Sequence, residues 1–579
     1  MTNAFKVIRS EYLFNKITSH LSHSDFPHCA LVNRYWNSLF RSLVWHTLTF
    51  SEDLHSEDPF HKKHRAILNQ LGLFIRKLYS HDCRSLVFFN GPQSRCRYLV
   101  ELEFTACLAH ESTTQAVQLI RDNLQLERLT IQGDFTLTQN SEAPQNLFSA
   151  LLQHPALTHL QLDNIDTTID YLFVRALLAH LPATLQSLVM SWTSITNLDP
   201  DQVNASDPSW PIAYPHLRYL SIDTKFMDQT REYLLFPLLR RCPELMELSI
   251  THMDEGITSS SSLPSRPAHN LAVLIRNHCP NVRRLSVDHC QESESLALNL
   301  IGIESFQIGN SPSLSQLCTA IVPNWSSSLK ELCFLRGTSV QSTDIQLLLT
   351  SCPLLTKFVI RPDKIRYDIN GVLSQGCSGL KLTEMTRSSW VCLGLEQLGL
   401  RILDDRSVDE SITAKEQNQA TVMMRRALAQ IGDLALLQQL GLEWTPVTRA
   451  DPRTTQVPKD FVQMDFSLLC GLNLLSGLKK LRKLQVSVSG LAMGQAEMEW
   501  IIDNWPKLNV IAGLSRSLSS RTSEELVVND FYPYFDILEE AKAAFAMFDK
   551  DANSDISKRE MKEKIFYIYK ERKDLHTAR

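Results

Sequence analysis

The sequence predicts an α/β solenoid, a row of parallel strands backed by helices, preceded by a small all-α module and followed by a helix-loop-helix. Three observations lead there. A short apolar phrase, Leu-x-x-Leu-x-Leu or a near relative, returns along most of the chain; residues 1–50 carry a four-residue apolar period instead; and residues 531–579 hold a loop of oxygen-bearing side chains between two helical stretches.

The phrase appears as Leu99/Leu102/Phe104, Leu126/Leu129/Ile131, Leu157/Leu160/Leu162, Leu185/Leu188/Met190, Leu217/Leu220/Ile222, Leu245/Leu248/Ile250 and Val282/Leu285/Val287. It continues as Leu329/Leu332/Phe334, Leu355/Phe358/Ile360, Leu395/Leu398/Leu400, Leu437/Leu440/Leu442 and Leu481/Leu484/Val486. Early spacings of about 26 to 32 residues, and longer ones later, fit one strand plus one helix per unit with insertions in the loops. Residues 241–250 show why. A helix must end before Pro243, which cannot continue it, and a strand follows at once. Alternate strand residues face opposite ways, so Leu248 and Ile250 enter the core while Glu247 and Ser249 face the concave side expected of an arc. The same words recur around Cys279-Pro280 and Cys352-Pro353, which puts Cys242, Cys279 and Cys352 at one buried place and argues for packing rather than chemistry. Helical stretches such as 233–240 and 272–275 would cover the other side of the core. No unit of this kind buries its apolar face alone, so neighbours stabilise one another and the ends need caps. This is a leucine-rich-repeat pattern, spanning residues 51–513.

Composition narrows the class. At 579 residues the chain exceeds what one compact core holds, which favours a long repeat array with appended modules. Lys and Arg number 58 against 63 Asp and Glu, a net charge of -5, so nothing calls for nucleic acid or an anionic membrane. The 13 cysteines are scattered without a Cys-x-x-Cys pair, which argues for a reducing compartment and against a disulfide scaffold or zinc cluster. Residues 1–8 lack an apolar core long enough for a signal peptide, and no run approaches the ~18 apolar residues of a membrane span. The expectation is a soluble intracellular protein, in cytoplasm or nucleus.

In residues 8–39 three short helical patterns follow one another. Leu13, Ile17 and Leu21 share one helix face, Ser24-Asp25 reads as a helix start, and Ala30, Leu31 and Val32 continue the apolar side of that second helix. The landmarks Glu11, Ile17, Leu21, Asp25-Phe26, Val32, Arg34 and Trp36 resemble an F-box. The usual opening Leu-Pro is Ile8-Arg9, and the usual closing cysteine is Asn33. The resemblance implies docking on a Skp-type adaptor of a cullin (SCF) ubiquitin ligase. Ile8, Leu13, Ile17, Leu21, Phe26 and Val32 would then supply the contact or the packing behind it, and Trp36 would hold the helices together. The same helices would equally serve as the cap that a repeat array requires. Residues 45–50, strand-like, are the expected entry to the repeats.

A Ser-rich linker, 514–530, precedes the last segment. There a twelve-residue loop, 549–560, lies between helical stretches, an EF-hand pattern. Calcium, a hard cation, takes six to eight oxygens; Asp549, Asp551, Asn553, Ser557 and Glu560 fill the side-chain places and Asp555 offers its carbonyl. The sixth position, where the chain turns through positive φ, holds Ser554 in place of glycine, at a cost of ~1 kcal/mol. The loop therefore binds Ca2+ weakly, or keeps the pattern without useful affinity. The surrounding words resemble the calcium-binding insert of fungal small-conductance mechanosensitive channels. That likeness covers only this segment, with no pore helices, and the junction reads either as a fusion or as two neighbouring genes joined.

No Gly-rich phosphate loop, nucleophile elbow or His-Glu-x-x-His word occurs, and the pairs His20/His23 and His61/His64 lack a third metal ligand. The polar insertions 253–269, 404–420 and 445–459 read as partner-contacting or disordered loops. The expected function is therefore non-catalytic: a substrate-recognition subunit that binds an unknown protein target through its repeats. The alternative is a calcium-responsive sensor or scaffold independent of ubiquitin.

Overall fold

The computed structural model describes residues 16, 18–22, 25–50, 68, 70–81, 86, 89, 96–105, 110–133, 146–147, 149–151, 154–170, 177–178, 180–196, 213–224, 235–251, 271–288, 293–309, 314–335, 338–360, 378–404, 414–446, 467–468, 470–487 and 495–512. The EF-hand-like loop, the Ser-rich linker and the insertion 253–269 lie outside them. The chain forms two compact units, Met1–Ser286 and Val287–Arg579.

The first unit opens with helices α1 (Asp25–Leu31) and α2 (Arg34–Val44) and then lays down strands β1 (Thr47–Phe50), β2 (Lys77–Ser80), β3 (Glu101–Thr105), β4 (Arg128–Gln132), β5 (His159–Asp170), β6 (Ser187–Thr196), β7 (Tyr219–Thr224) and β8 (Glu247–Thr251). Each pairs with the next in parallel, and the register stacks like on like: Leu78, Leu102, Leu129, Leu160, Leu188, Leu220 and Leu248 form one continuous row. All seven leucines of that row are buried, and the residues flanking each in the strand are not. Burying such a side chain is worth about 1.5–3 kcal/mol, which only a neighbouring turn makes possible.

The second unit repeats the scheme with β10 (Ser305–Ile308), β11 (Glu331–Phe334), β12 (Lys357–Ile360), β14 (Gln397–Asp404), β15 (Gln439–Pro446), β16 (Lys483–Ser487) and β17 (Val510–Ala512), again parallel. The short β13 (Leu380–Lys381) adds to the end of β14, while β9 (Arg284–Val287) holds the boundary between units. Helices α3 (His110–Asp122), α4 (Phe236–Leu239), α5 (Leu271–His278), α6 (Ser293–Asn299), α7 (Leu314–Trp325), α8 (Ser342–Ser351), α9 (Leu382–Met385), α10 (Ala414–Gly432) and α11 (Gln495–Asn504) run between the strands. This is the leucine-rich-repeat form of α/β architecture. No described helix is long and apolar enough to cross a membrane.

The repeat word missed two turns. β10 obeys the phrase through Ile303/Phe306/Ile308, with no leucine at all, so the apparent long interval before Leu329 is two ordinary units. β2 breaks it because its last inward residue is the buried Ser80. The expected loop at 404–420 is corrected too: α10 begins at Ala414, and only 405–413 fall outside the described residues.

One turn geometry links helix to strand at most turns, although Leu329 N reaches Trp325 O four residues earlier (2.8 Å) and Leu99 N reaches Asn123 Oδ1 (2.8 Å). The N–H at the first position of the phrase bonds to the carbonyl three residues earlier, as in Leu126 to Asn123 (3.0 Å), Leu245 to Cys242 (3.2 Å), Val282 to Cys279 (3.2 Å) and Leu508 to Trp505 (3.0 Å). In several of these turns the side chain at that earlier position is buried and donates to a carbonyl near the end of a helix or turn. Cys279 Sγ bonds Leu239 O at 3.2 Å, Trp505 Nε1 bonds Leu475 O at 3.1 Å, and Tyr214 donates its hydroxyl to Leu178 O. Cys96 and Cys392 occupy this position as well, which extends the trio Cys242, Cys279 and Cys352. Burial pushes the thiols of Cys96, Cys279 and Cys392 up to about 12, so they pack rather than react.

Candidate interaction surface

The outward residues of the strands form a polar surface that the repeat itself builds. In the first unit Lys77, Glu101, Arg128, His159, Ser187, Tyr219 and Glu247 stand side by side in register. A second row two residues on begins with Tyr79, Glu103 and Thr130. Most are half-buried against one another rather than extended into solvent.

These groups are paired along the rows. Lys77 Nζ lies 2.8 Å from Glu101 Oε2, and the Tyr79 hydroxyl donates to Glu101 Oε1 at 2.9 Å. Burial raises the Glu101 carboxyl, but the bonds from Lys77 and Tyr79 outweigh it and hold the group below the usual carboxylate range. Burial, then the same carboxylate, pushes Tyr79 up to about 12. His159 titrates below its ordinary value through burial and the positive Arg128 beside it. At neutral pH this end of the sheet therefore shows a fixed alternation of charge, from Lys77 to Glu101 to Arg128, next to a neutral imidazole. Such a surface has the polarity and order to select a partner, and the Thr158 hydroxyl lies 2.8 Å from His159 Nδ1 at its edge. Among the described residues no three His, Cys, Asp or Glu side chains are placed to share a metal ion.

In the second unit Ser305 Oγ donates to Glu331 Oε2 at 3.2 Å. Gly399 and Gly441 are adjacent in register, leaving a strip without side chains, and a Cβ on Gly399 would come within 3.2 Å of Val359 Cγ1. Next to the glycines Arg401 Nη2 donates to both oxygens of Glu443, at 2.9 and 3.1 Å.

The amino-terminal helices are a separate surface. Asp25 accepts from Ser22 N (2.7 Å) and Ser22 Oγ (2.6 Å), one half of a capping box, which lowers the Asp25 carboxyl. Asn33 caps α2 by accepting from Trp36 N at 2.9 Å. Trp36 stacks on Phe40 at 5.3 Å, and Phe26 meets the same ring at 6.0 Å, so Phe40, buried, locks the two helices together. Arg41 lies over the Phe74 ring at 5.6 Å, and His46 O accepts from Arg76 N and Lys77 N, which fixes the end of α2 to the start of the sheet.

Of the residues assigned to adaptor contact, Ile8, Leu13 and Ile17 lie outside the described residues. Leu21 and Phe26 are half-buried, and Val32 is 61% exposed. Leu31, which the sequence reading placed on the packed side of its helix, is 81% exposed. Phe26 occupies the packed side instead. The proposed calcium ligands Asp549, Asp551, Asn553, Asp555, Ser557 and Glu560 are likewise outside the described residues.

No family model matches the chain, and no curated protein matches it. Among solved structures it is similar to a leucine-rich-repeat protein of Leptospira interrogans, at 15% identity and a TM-score of 0.32, over 76% of this chain and 91% of the other. It is also similar to a chain in the complex of Rad7 and Elc1 from yeast, at 15% identity and a TM-score of 0.32, over 63% and 89%.

Proposed function

We propose that the protein is a non-catalytic substrate-recognition subunit of a cullin-type (SCF) ubiquitin ligase. The amino-terminal helices dock on a Skp-type adaptor, and the outward faces of the strands hold a protein target. The observation that carries this reading is the pair Leu31 and Val32: two adjacent aliphatic side chains in solvent at the end of a helix whose packing is already completed by Phe26, Trp36 and Phe40. A cap alone needs only the buried side, whereas exposed aliphatic side chains on a rigid helix pair suit a partner's apolar pocket. The protein supplies proximity, raising the local concentration of target beside a ubiquitin-loaded enzyme.

Pull-down of a Skp-type adaptor by the full chain tests it. The wild type should retain the adaptor, and Leu31→Asp with Val32→Asp should weaken capture by a factor of ten or more, since burying an unpaired carboxylate costs more than the ~1.4 kcal/mol that a tenfold change represents. Because both positions are exposed, the double variant keeps the wild-type melting curve. An intact protein that captures no adaptor sinks the reading.

The carboxylates of 549–560 add a weak calcium site to this function, weak because Ser554 stands where glycine is usual. Calorimetric titration of the full chain with calcium should give heats that vanish in Glu560→Gln, which removes the two-oxygen ligand. Identical heats from the two proteins would remove calcium from the account.

A further inference from the structure

The last described strand of the second unit, β17, rests on β16, and the apolar rows of the sheet lose their cover there. Leu437 and Leu481, at the first place of the repeat phrase, are 0% exposed, and Leu440 and Leu484, at the fourth, are 1 and 0% exposed. Leu508 and Ile511 hold the same two places in the last turn, as the pairing of Leu484 with Ile511 fixes, and both are only half-buried. Val510 adds to them. It stands in register with Lys483, Gln439 and Gln397, so an aliphatic side chain takes a place that the preceding strands give to polar ones. Val510 is half-buried too, as is Ile502 on α11, the last helix.

The strand side of this end is basic: Lys479, Lys480, Arg482, Lys483 and Lys507 are all exposed. The chain leaves it at Ala512, and its sequence then supplies the complement. After the Ser-rich stretch, residues 524–540 hold Glu524, Glu525, Asp530, Asp536, Glu539 and Glu540 with no Lys or Arg between them. Leu526, Val527, Val528, Phe531, Tyr532 and Phe535 are interleaved with those carboxylates. The 14 residues from Ala512 to Leu526 span ~20 Å as a flexible Ser-rich chain, about four strand spacings of ~4.8 Å, so the segment reaches every group named above.

We infer that residues 524–538 dock on this end of their own chain, with Val527, Val528 and Phe531 over Leu508, Val510 and Ile511, and Glu524 and Glu525 among Lys480, Arg482 and Lys507. The inference goes beyond the ligase reading and does not depend on it. It makes the segment that leads into the EF-hand-like loop a working part of the second unit, so the junction after Ala512 joins two pieces that fold together. Two arguments favour this occupant over a second copy of the chain. An isologous pairing of two such ends would set five cations against five, whereas the acidic segment meets them with opposite charge. The tether also holds the segment at a millimolar effective concentration, which a free second copy does not match.

The test uses the full chain. Carbodiimide, which joins a carboxylate to an amine in contact with it, should link Lys480 or Lys507 to Glu524 or Glu525 within one chain, as mass spectrometry of the monomer reads out. Hydrogen exchange follows the Val510 amide, which bonds Arg482 O at 3.1 Å, with the Leu440 amide of β15 as the control that the unit stays folded. Val527→Asp with Phe531→Asp should speed exchange at Val510 tenfold or more and leave Leu440 unchanged. Lys480→Glu with Lys507→Glu should speed it severalfold, and adding Glu524→Lys with Glu525→Lys should return it toward the wild-type rate, a rescue that lost packing alone would not give. The protection should also weaken as salt rises. Absence of the crosslink within one chain, or exchange at Val510 that ignores the segment variants, overturns the proposal. Crosslinks between chains, with a dimer by light scattering and protection that rises with concentration, give this end to a second copy and overturn it as well.

Discussion

Glu443→Ala destabilises the second unit by about 3 kcal/mol or more, whereas Arg401→Met costs about 1. The asymmetry follows from where the two ends of the pair sit. Arg401 is 1% exposed, with one guanidinium nitrogen bonded to both oxygens of a carboxylate that is itself 19% exposed. Removing the carboxylate leaves a buried cation that no water can fully solvate, and breaking a buried pair in this way typically costs 3–5 kcal/mol. Removing the cation instead leaves a carboxylate with some access to solvent and an apolar stem of similar length in its place. Urea unfolding followed by circular dichroism gives both numbers, and hydrogen exchange places the loss in β14 and β15. Equal costs for the two variants would mean that the Arg401 charge is satisfied independently of Glu443. The double variant Arg401→Met with Glu443→Leu should recover most of the loss, because apolar replacement of a buried pair is often neutral.

The repeat fold was legible because its energetics are one-dimensional. A leucine that must stack on the leucine of the next turn recurs at a fixed place in each unit, and Leu102, Leu129 and Leu160 do so on adjacent strands. The places where reading failed are those where another residue fills the same hole. Ile303/Phe306/Ile308 packs as well as any leucine word, and nothing in the physics of a close-packed core distinguishes them. A pattern written by inward volume at positions one, four and six would have found β10; one written by residue name did not. The turn position was seen only where it was cysteine followed by proline, although Asn123, Tyr214 and Trp505 do the same work with larger or more polar groups.

The interaction surfaces were less legible, for a reason that follows from strand geometry. Period two assigns Glu101 and Tyr79 to the outward face, but it does not say that Lys77, 24 residues before Glu101, closes a triad with them; that contact comes from register, which only the stacking of turns fixes. Lys480 and Lys507 likewise come side by side only when β16 and β17 pair. At the helices, Leu31 and Val32 are indistinguishable by hydropathy from Phe26, and the partner that decides between them is Phe40, contributed by the following helix.

The second large effect concerns Asn123, buried at the turn between α3 and β4. Asn123→Ala destabilises the first unit by about 3 kcal/mol, because three buried backbone groups lose their partners at ~1 kcal/mol or more each. The side-chain oxygen accepts from Leu99 N at 2.8 Å, and the amide nitrogen donates to Leu119 O at 2.8 Å and to Cys96 O at 3.1 Å. One residue thus closes the end of its own helix and ties two successive turns together. Asn123→Asp separates these roles. It keeps an acceptor for Leu99 N but loses both donors and buries a charge, so its folded pKa rises above the ordinary ~3.9; the stability it retains is present below that value and is lost as pH rises through the folded pKa. The aspartate variant should therefore be the weaker of the two at neutral pH and gain on the alanine variant toward pH 4. Asn123→Cys should cost less than either, since a thiol at this position already bonds a helix-end carbonyl in Cys279. A melting series across the three variants, with exchange of the Leu99 amide as the local probe, decides the matter: if all three lose the same stability, the network contributes through volume alone, and the hydrogen bonds between turns do not hold the repeat together.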